Sequence, residues 1–587
     1  MKRIMRDIWT VFKLLYHNKG RFSINALLLQ LIMIFISSTY LILLFNLMLK
    51  VAGQSQLTIN NWIEIVSHPA SVILLIIFIL SVAFLIYVEF SLLVYMVYAG
   101  FDRQIITFKS IFKNAFVNVR KLVGVPIIFF VIYLILMIPI ANLGLSSVLT
   151  KNIYIPKFLT EELMKTTKGI IIYGTFMVAV FILNFKLIFT LPLTILNRQS
   201  LFKNMRLSWQ ITKRNKFRLV IEIVILEIII AAILTLVVSA ATFIAIYLDE
   251  DGNKFIISSV LFVVLKSALF FYYLFTKLSL ISVLVLHLKQ ENALYQPTLE
   301  FKTPKPKRKS KFFIISMLLA VICFIGYNMY LLYNNSINQN ISIIGHRGFE
   351  DKGVENSIPS LKAAAKAKVE YVELDTIMTK DKRFVVSHDN NLKRLTGINK
   401  NISESNFKDV VGLKMRQNGH EAKLVSLEAF IETAKKENVK LLVELKPHGK
   451  EASDYTERVI DILKKHNVEH EYKVMSLDYD IMTKLKKEAP YIKCGYIIPL
   501  QFGHFKETSL DFFVIEDFSY TPRLVNQAHL ENKEVYTWTI NGEEDLTKYL
   551  QTNVDGIITD DPALADDIKE AKKDETYFDR SIRILFE

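Results

Sequence analysis

The 587-residue chain has almost no cysteine, only Cys323 and Cys494. One lies in an apolar run and the other far into the second half, so no disulfide framework organises the fold and the redox compartment is not legible from them. Acidic residues are scarce in the first half. Residues 1–340 hold 34 Lys and Arg against 13 Asp and Glu, whereas residues 341–587 hold 37 against 43. The pI near 9.3 therefore belongs to the first part of the chain alone. Its basic residues sit in loops between apolar runs, which indicates a membrane surface and excludes nucleic acid as the partner. No cleavable signal peptide is expected either: residues 1–21 are basic and amphipathic, and the apolar run after them is too long for an h-region.

What that half does have is hydrophobic length. A mean hydropathy of +0.32 is too high for a soluble protein, and a helix needs about 20 apolar residues to cross a bilayer core. Seven segments meet this, at approximately 24–49, 71–99, 122–142, 169–197, 219–247, 255–287 and 312–333. The sixth carries Lys266 and Lys277, as a tilted, kinked or partly interfacial helix would. Lysine and arginine crowd the loops 100–121, 198–218 and 288–311 and are sparse in 50–70, 143–168 and 248–254. The positive-inside rule then puts the N-terminus and the basic loops in the cytoplasm, and seven crossings put residues 341–587 outside. Ser110–Asn114 and Ser200–Asn204 are nearly the same pentapeptide, either an internal repeat lying on the inner leaflet or two ordinary basic loops. Glu89, Lys186, Glu222 and Glu227 fall in or near apolar segments, where ionisable groups are costly. They fit a transport pathway, snorkelling or polar contacts between helices.

Beyond Asn334 short β-rich runs alternate with polar helical stretches. The runs are 341–345, 371–375, 440–446, 473–477, 494–499, 511–516, 534–540 and 556–559, separated in places by helical 360–368, 427–438 and 455–466. This divides the chain into a membrane domain, 1–335, and a catalytic domain, 336–587. The alternation fits a (β/α)8 barrel or a doubly wound sheet.

The chemistry concentrates between Ile343 and Asp389, with contributions further on. Glu373 and Asp375 stand two apart and so share one side of a strand. With Glu444 they make three hard oxygen donors suited to one divalent cation, Ca²⁺ or Mg²⁺. His346 and His388 are candidates for general acid and base, in either order. Arg347 can pair two phosphate oxygens, and Lys446 adds a compact charge. Such a set suits metal-assisted attack on a phosphodiester. Glu355 and Asn356 would orient Arg347, touch the substrate or cap the following helix. Trp538 would stack on the substrate or fill the mouth of a barrel.

These residues also fall in motifs. His346-Arg347-Gly348, Glu355-Asn356-Ser357, Glu373-x-Asp375, Thr379-Lys380-Asp381, His388-Asp389, Glu444-Leu445-Lys446, Trp538-Thr539-Ile540-Asn541 and the run Asp555 to Asp560 resemble, in order, those of the glycerophosphodiester phosphodiesterases. The resemblance covers roughly residues 341 to 570. It implies an α/β TIM (β/α)8 barrel with a small insertion at 389–425 over the active-site face. It also implies catalytic His346 and His388, substrate contacts from Arg347, Lys446, Glu355 and Trp538, and a cation on Glu373, Asp375 and Glu444. The reaction implied is hydrolysis of a glycerophosphodiester, or of a substrate derived from glycerophospholipid, to sn-glycerol 3-phosphate and an alcohol. Membrane lipid is the expected surroundings, with the catalytic domain outside the cell; protein partners are not legible. Lys382 replaces a glycine of the family pattern, and Val425-Ser426-Leu427 replaces Pro-Thr-Leu; neither touches a proposed ligand. A phosphatidylinositol-specific phospholipase C-like lyase and a non-catalytic phosphoester-binding sensor or transporter are the alternatives.

Overall fold

The structure, a computed structural model, describes residues 2–586 except 103, 105–107, 120–121, 123, 138–146, 148, 151–153, 165, 198, 295–310 and 450. A helical membrane half precedes an α/β barrel, the fold class expected from the sequence. Helix α1 (Lys2–Leu31) continues through a π-helical turn at Ile32–Ser37 into α2 (Ser38–Val51). Then follow α3 (Pro69–Phe101), α4 (Thr167–Lys186), α5 (Leu201–Leu248), α6 (Phe255–Gln290) and α7 (Lys311–Asn334). Among the described residues, five helical stretches are long and apolar enough to cross a membrane, namely Lys2–Val51, Pro69–Phe101, Thr167–Leu196, Leu201–Leu248 and Phe255–Gln290. These five fall on five of the seven expected segments; Val125–Leu136 and Leu318–Asn334, within the other two, are apolar but shorter. The lysines of the linker from Lys302 to Lys309 lie outside the described residues.

Three of the four ionisable groups in or near the spans, Glu89, Glu222 and Lys186, have partners. Glu89 accepts from Lys277 Nζ at 2.8 Å and from Ser147 Oγ at 2.5 Å. Glu222 accepts from Arg218 Nε at 2.8 Å and lies 2.7 Å from His287 Nε2, while Arg218 also reaches Asp7 and Gln290. Lys186 Nζ stands over the Trp209 ring at 5.5 Å. Pairing of this kind is how charge is tolerated away from water.

In the second half eight parallel strands close on themselves. They are β1 (Ser342–Gly345), β2 (Tyr371–Met378), β3 (Lys440–Leu445), β4 (Lys473–Ser476), β5 (Lys493–Ile498), β6 (Phe512–Glu516), β7 (Glu534–Trp538) and β8 (Gly556–Thr559). Each pairs with its neighbours, and β8 pairs with β1 to complete the ring. Inside, Ile344, Leu442, Met475, Ile497, Val514 and Ile558 fill the barrel, and a larger apolar layer separates strands from helices. The helices are α8 (Ile358–Lys366), α9 (Leu427–Lys436), α10 (Tyr455–Lys465), α11 (Tyr479–Glu488), α12 (Pro522–Leu530), α13 (Glu543–Tyr549), α14 (Pro562–Ala571) and a terminal α15 (Tyr577–Phe586). Side chains of Ser357, Ser426, Asp478, Thr521 and Asp561 accept from the first free amides of α8, α9, α11, α12 and α14, which fixes where each starts.

Among the described residues the helical layer is broken once. Residues 499–511, between β5 and β6, form no helix; Phe505 stacks on Phe513 at 4.0 Å in its place. A short strand here, Gln501–Gly503, pairs antiparallel with Gln56–Thr58 from the segment joining α2 to α3. The barrel also meets the membrane half at Tyr154, whose hydroxyl donates to Asp517 Oδ1 at 3.1 Å, and at Gly252, whose carbonyl accepts from Phe578 at 3.0 Å. Helix α15 packs Phe578, Ile582 and Leu585 against Ala245, Leu261 and Leu265.

Candidate active site

The C-terminal ends of β1, β2 and β3 bring the expected residues together. β2 and β3 run in register, with Asp375 opposite Glu444, and alternation puts Glu373 on the same side as Asp375. Glu373, Asp375 and Glu444 are all buried, and each offers an oxygen within 4.8 Å of those of the other two. Lys446 Nζ reaches into this group, 3.0 Å from Asp375 Oδ1 and 2.8 Å from Glu444 Oε1. Arg347 donates its backbone N–H to Glu373 Oε2 at 2.8 Å and holds its Nε 3.3 Å from Asp375 Oδ2. Burial and the neighbouring Asp375 push the Glu373 carboxyl well up. Asp375 goes the other way: burial alone would raise it, but Lys446, His388 and Arg347 hold it well below the carboxylate range. Close carboxylates cannot all ionise without compensation, so their affinities for protons separate.

Arg347 sits at φ +53°, a left-handed conformation unusual for a side chain of this size. Gly348 follows at φ +95°, where a Cβ would lie 2.5 Å from Ser360 Oγ, so no other residue fits. This turn aims the Arg347 amide and guanidinium back over the rim. Glu355 fixes the guanidinium from behind. It is 1% exposed and accepts from Arg347 Nη1 at 3.2 Å, Arg394 Nη1 at 2.8 Å, Arg394 Nη2 at 2.5 Å and Gln417 Nε2 at 2.9 Å. All four bonds come from side chains of the protein, one of them Arg347. Asn356 donates to Asp375 Oδ2 at 2.8 Å and accepts from the Asp375 N–H at 3.0 Å; Ser357, not Glu355 or Asn356, caps α8.

Each histidine is backed by a carboxylate. His346 Nδ1 lies 2.6 Å from Asp560 Oδ1, and Asp560 is itself held by Asn541 Nδ2 at 2.6 Å. His388 Nδ1 lies 2.8 Å from Asp389 Oδ1, and Asp389 also takes Arg394 Nε at 2.6 Å. Burial and Arg347 would lower the His346 imidazole, but Asp560 and Glu373 hold it above its ordinary value. Both imidazoles are near enough to act on the acids, the charge of His346 on Glu373 and that of His388 on Asp375. A carboxylate on Nδ1 fixes the tautomer and leaves Nε2 for proton transfer. Trp538 ends β7, half-buried against the inner cluster of the barrel.

Sequence reasoning gave no role to Asp560, Asn541, Asp389, Arg394 or Gln417. Asp560, Asn541 and Asp389 lie in motifs that had been noted, but an orienting partner shows only when two strand ends are seen together. Arg394 and Gln417 come from the insertion, which has its own small core around Val354, Leu392, Leu395, Ile402, Val410, Met415 and Leu424. It covers the rim in a stretch whose sequence carries no strong periodicity, using short helical turns and the hairpin Lys414–Gln417/His420–Lys423.

Comparison with known proteins agrees on both halves. A family described as the membrane domain of glycerophosphoryl diester phosphodiesterase matches residues 8–328, and the glycerophosphoryl diester phosphodiesterase family matches 346–564. A glycerophosphodiester phosphodiesterase of Caldanaerobacter subterraneus is 28% identical over 231 residues, covering 38% of this chain and 94% of that protein. A human lysophospholipase D is 24% identical over 265 residues, covering 37% and 83%. Among solved structures, an Oleispira antarctica phosphodiesterase in complex with the product sn-glycerol-3-phosphate is 22% identical, covers 39% of this chain and 96% of its own, and has a TM-score of 0.35.

Proposed function

This chain belongs to the glycerophosphoryl diester phosphodiesterase family and is a membrane-embedded enzyme that hydrolyses glycerophosphodiesters; from that premise we propose that the reaction is cation-assisted, runs between His346 and His388, and takes place at the outer face of the cell membrane. The observation that carries the reading is the triad of buried acids flanked by two carboxylate-backed imidazoles on one barrel rim.

The donor set fits a hard divalent cation. Three carboxylates stand against two permanent cations, Arg347 and Lys446, and burial together with Asp375 raises the proton affinity of Glu373. Glu373, Asp375 and Glu444 would hold Ca²⁺ or Mg²⁺, which supplies Lewis-acid polarisation of a phosphoryl oxygen when bound. The chain's own groups do the rest. Arg347, fixed by Glu355 and Asp375, presents its guanidinium to the phosphate and neutralises part of its charge. One imidazole takes the proton from the attacking oxygen and the other returns one to the departing alkoxide, each steadied by its aspartate. Lys446 adds positive charge beside the same acids, and Trp538 forms part of the wall of the mouth.

Support for the outer face comes from where the barrel rests. It touches the membrane half at 55–60, at Tyr154 and at Gly252, in the loops 50–70, 143–168 and 248–254, which carry one, four and one Lys or Arg against five, seven and seven in 100–121, 198–218 and 288–311. Purified full-length protein releasing sn-glycerol 3-phosphate from glycerophosphocholine, with loss on chelation and in His346→Ala and His388→Ala, tests the chemistry. A cyclic phosphate product by phosphorus NMR would overturn it. Leu530 is 87% exposed; Leu530→Cys should react with a membrane-impermeant maleimide on intact cells, and protection until lysis would reverse the topology.

A further inference from the structure

Resting on that reading, we propose that the membrane half completes the catalytic rim at β5 and β6, and that this composite wall positions a phosphodiester whose alcohol portion carries an acyl chain seated in the outer leaflet. The barrel lacks a helix at one place only among the described residues, 499–511, and that place is one of the three where the membrane half docks. The join is a backbone ladder with close fit. Gly503 lies at φ +92°, and a Cβ there would come within 2.7 Å of the Ser55 carbonyl and 2.9 Å of Leu49 Cδ1. Asn60 Nδ2 donates to Tyr496 Oη at 3.0 Å, the His504 N–H to the Ser55 carbonyl at 3.0 Å, and the Lys506 N–H to Gln56 Oε1 at 3.2 Å.

Along this join runs an unbroken row of aromatic rings. Phe78 of α3 meets Phe45 of α2 at 5.9 Å, Phe45 meets Phe502 at 6.3 Å, Phe502 meets Phe518 at 5.9 Å, and Phe518 meets Tyr154 at 5.1 Å. Phe45 and Phe78 belong to spanning helices, whereas Phe502 and Phe518 follow β5 and β6 and so stand on the catalytic face. Rings favour the boundary between hydrocarbon and water. A small alcohol released into water gains nothing from a row leading into the bilayer. An acylated one can keep its chain in the leaflet while its phosphate reaches the three acids. The tight backbone ladder holds the row still, so the distance from bilayer to catalytic centre is set.

The test uses the full-length protein in lipid nanodiscs and two diesters of sn-glycerol 3-phosphate, one with monoacylglycerol as its alcohol, embedded in the disc, and one with glycerol, soluble in water. Phe502→Ser should lower the embedded-to-soluble ratio of kcat/KM about tenfold, through KM for the embedded substrate, the worth of one or two lost ring contacts. Phe502→Trp should restore it, and Tyr154→Leu, at the other end of the row, should shift the ratio the same way. A ratio unchanged in Phe502→Ser, or an equal fall on both substrates, overturns the proposal. Wild-type protein inactive on both substrates would instead refute the reaction on which the proposal rests.

Discussion

Replacing Glu355 by glutamine keeps its shape and removes the charge on which two arginines converge. The carboxylate is buried and takes a two-pronged bond from Arg394, with a further bond from Arg347. Burial alone would raise its pKa; the hydrogen bonds and charges of Arg394 and Arg347 prevail and hold it at about 2, against 4.5 in an open chain. A displacement of that size contributes about 3 kcal/mol to folding at neutral pH. Independently, removing one partner from a buried ion pair costs about 3–5 kcal/mol, because the remaining charge is left uncompensated. Glu355→Gln should therefore destabilise the barrel by about 3 kcal/mol at pH 7. Since the folded pKa lies below the unfolded one, this contribution is complete above pH 4.5 and disappears as the pH falls from 4.5 towards 2. Thermal unfolding of wild type and variant, followed by near-ultraviolet circular dichroism of the full chain, should differ at pH 7 and converge on acidification. A difference below about 1 kcal/mol at neutral pH, or one that stays constant down to pH 3, would refute the reasoning.

Asp560→Asn leaves His346 in place but lets it adopt the wrong tautomer, so kcat should fall by about 10²–10⁴ with KM little changed in steady-state assays. Chelation should abolish turnover and added Ca²⁺ or Mg²⁺ should restore it, whereas Asp375→Asn or Glu444→Gln should weaken cation binding measured by calorimetry. Gly503→Val forces a side chain against Ser55 and Leu49 at a positive φ, and should lower thermal stability by about 1–3 kcal/mol with the catalytic groups intact.

Much of this architecture was written locally in the chain. The eight strands fall on the β-rich runs, since each is a short apolar stretch bounded by turn residues and by a helix cap such as Ser426 or Asp478. Only α8, α9 and α10 stood out among the barrel helices; α11 did not, because Tyr479–Glu488 is lysine-rich and buries only Met482 and Leu485, too thin a stripe to read. Within the site, the acids were legible because two share a strand face and all are foreign to an apolar core. What stayed hidden was everything joining distant segments: Asp560 behind His346, 214 residues away, and Gln417 and Arg394 behind Glu355. Lys446 was read as a phosphate contact, and the structure adds its bridging of Asp375 and Glu444. The seam between the halves gave no signal, because a backbone ladder needs no particular side chains.

That last point bears on how the protein can change. Because Gln56–Thr58 and Gln501–Gly503 are joined through main-chain groups, most positions in either strand can drift in identity while the attachment persists. Their spacing cannot drift in the same way. One residue inserted between Thr58 and Trp62, or between Ile498 and Gln501, would slip the register and turn every side chain of the join to its opposite face. Descendants of this chain should therefore be free in spelling but fixed in length on both sides of the joint, and surface loops elsewhere on the barrel should show the reverse.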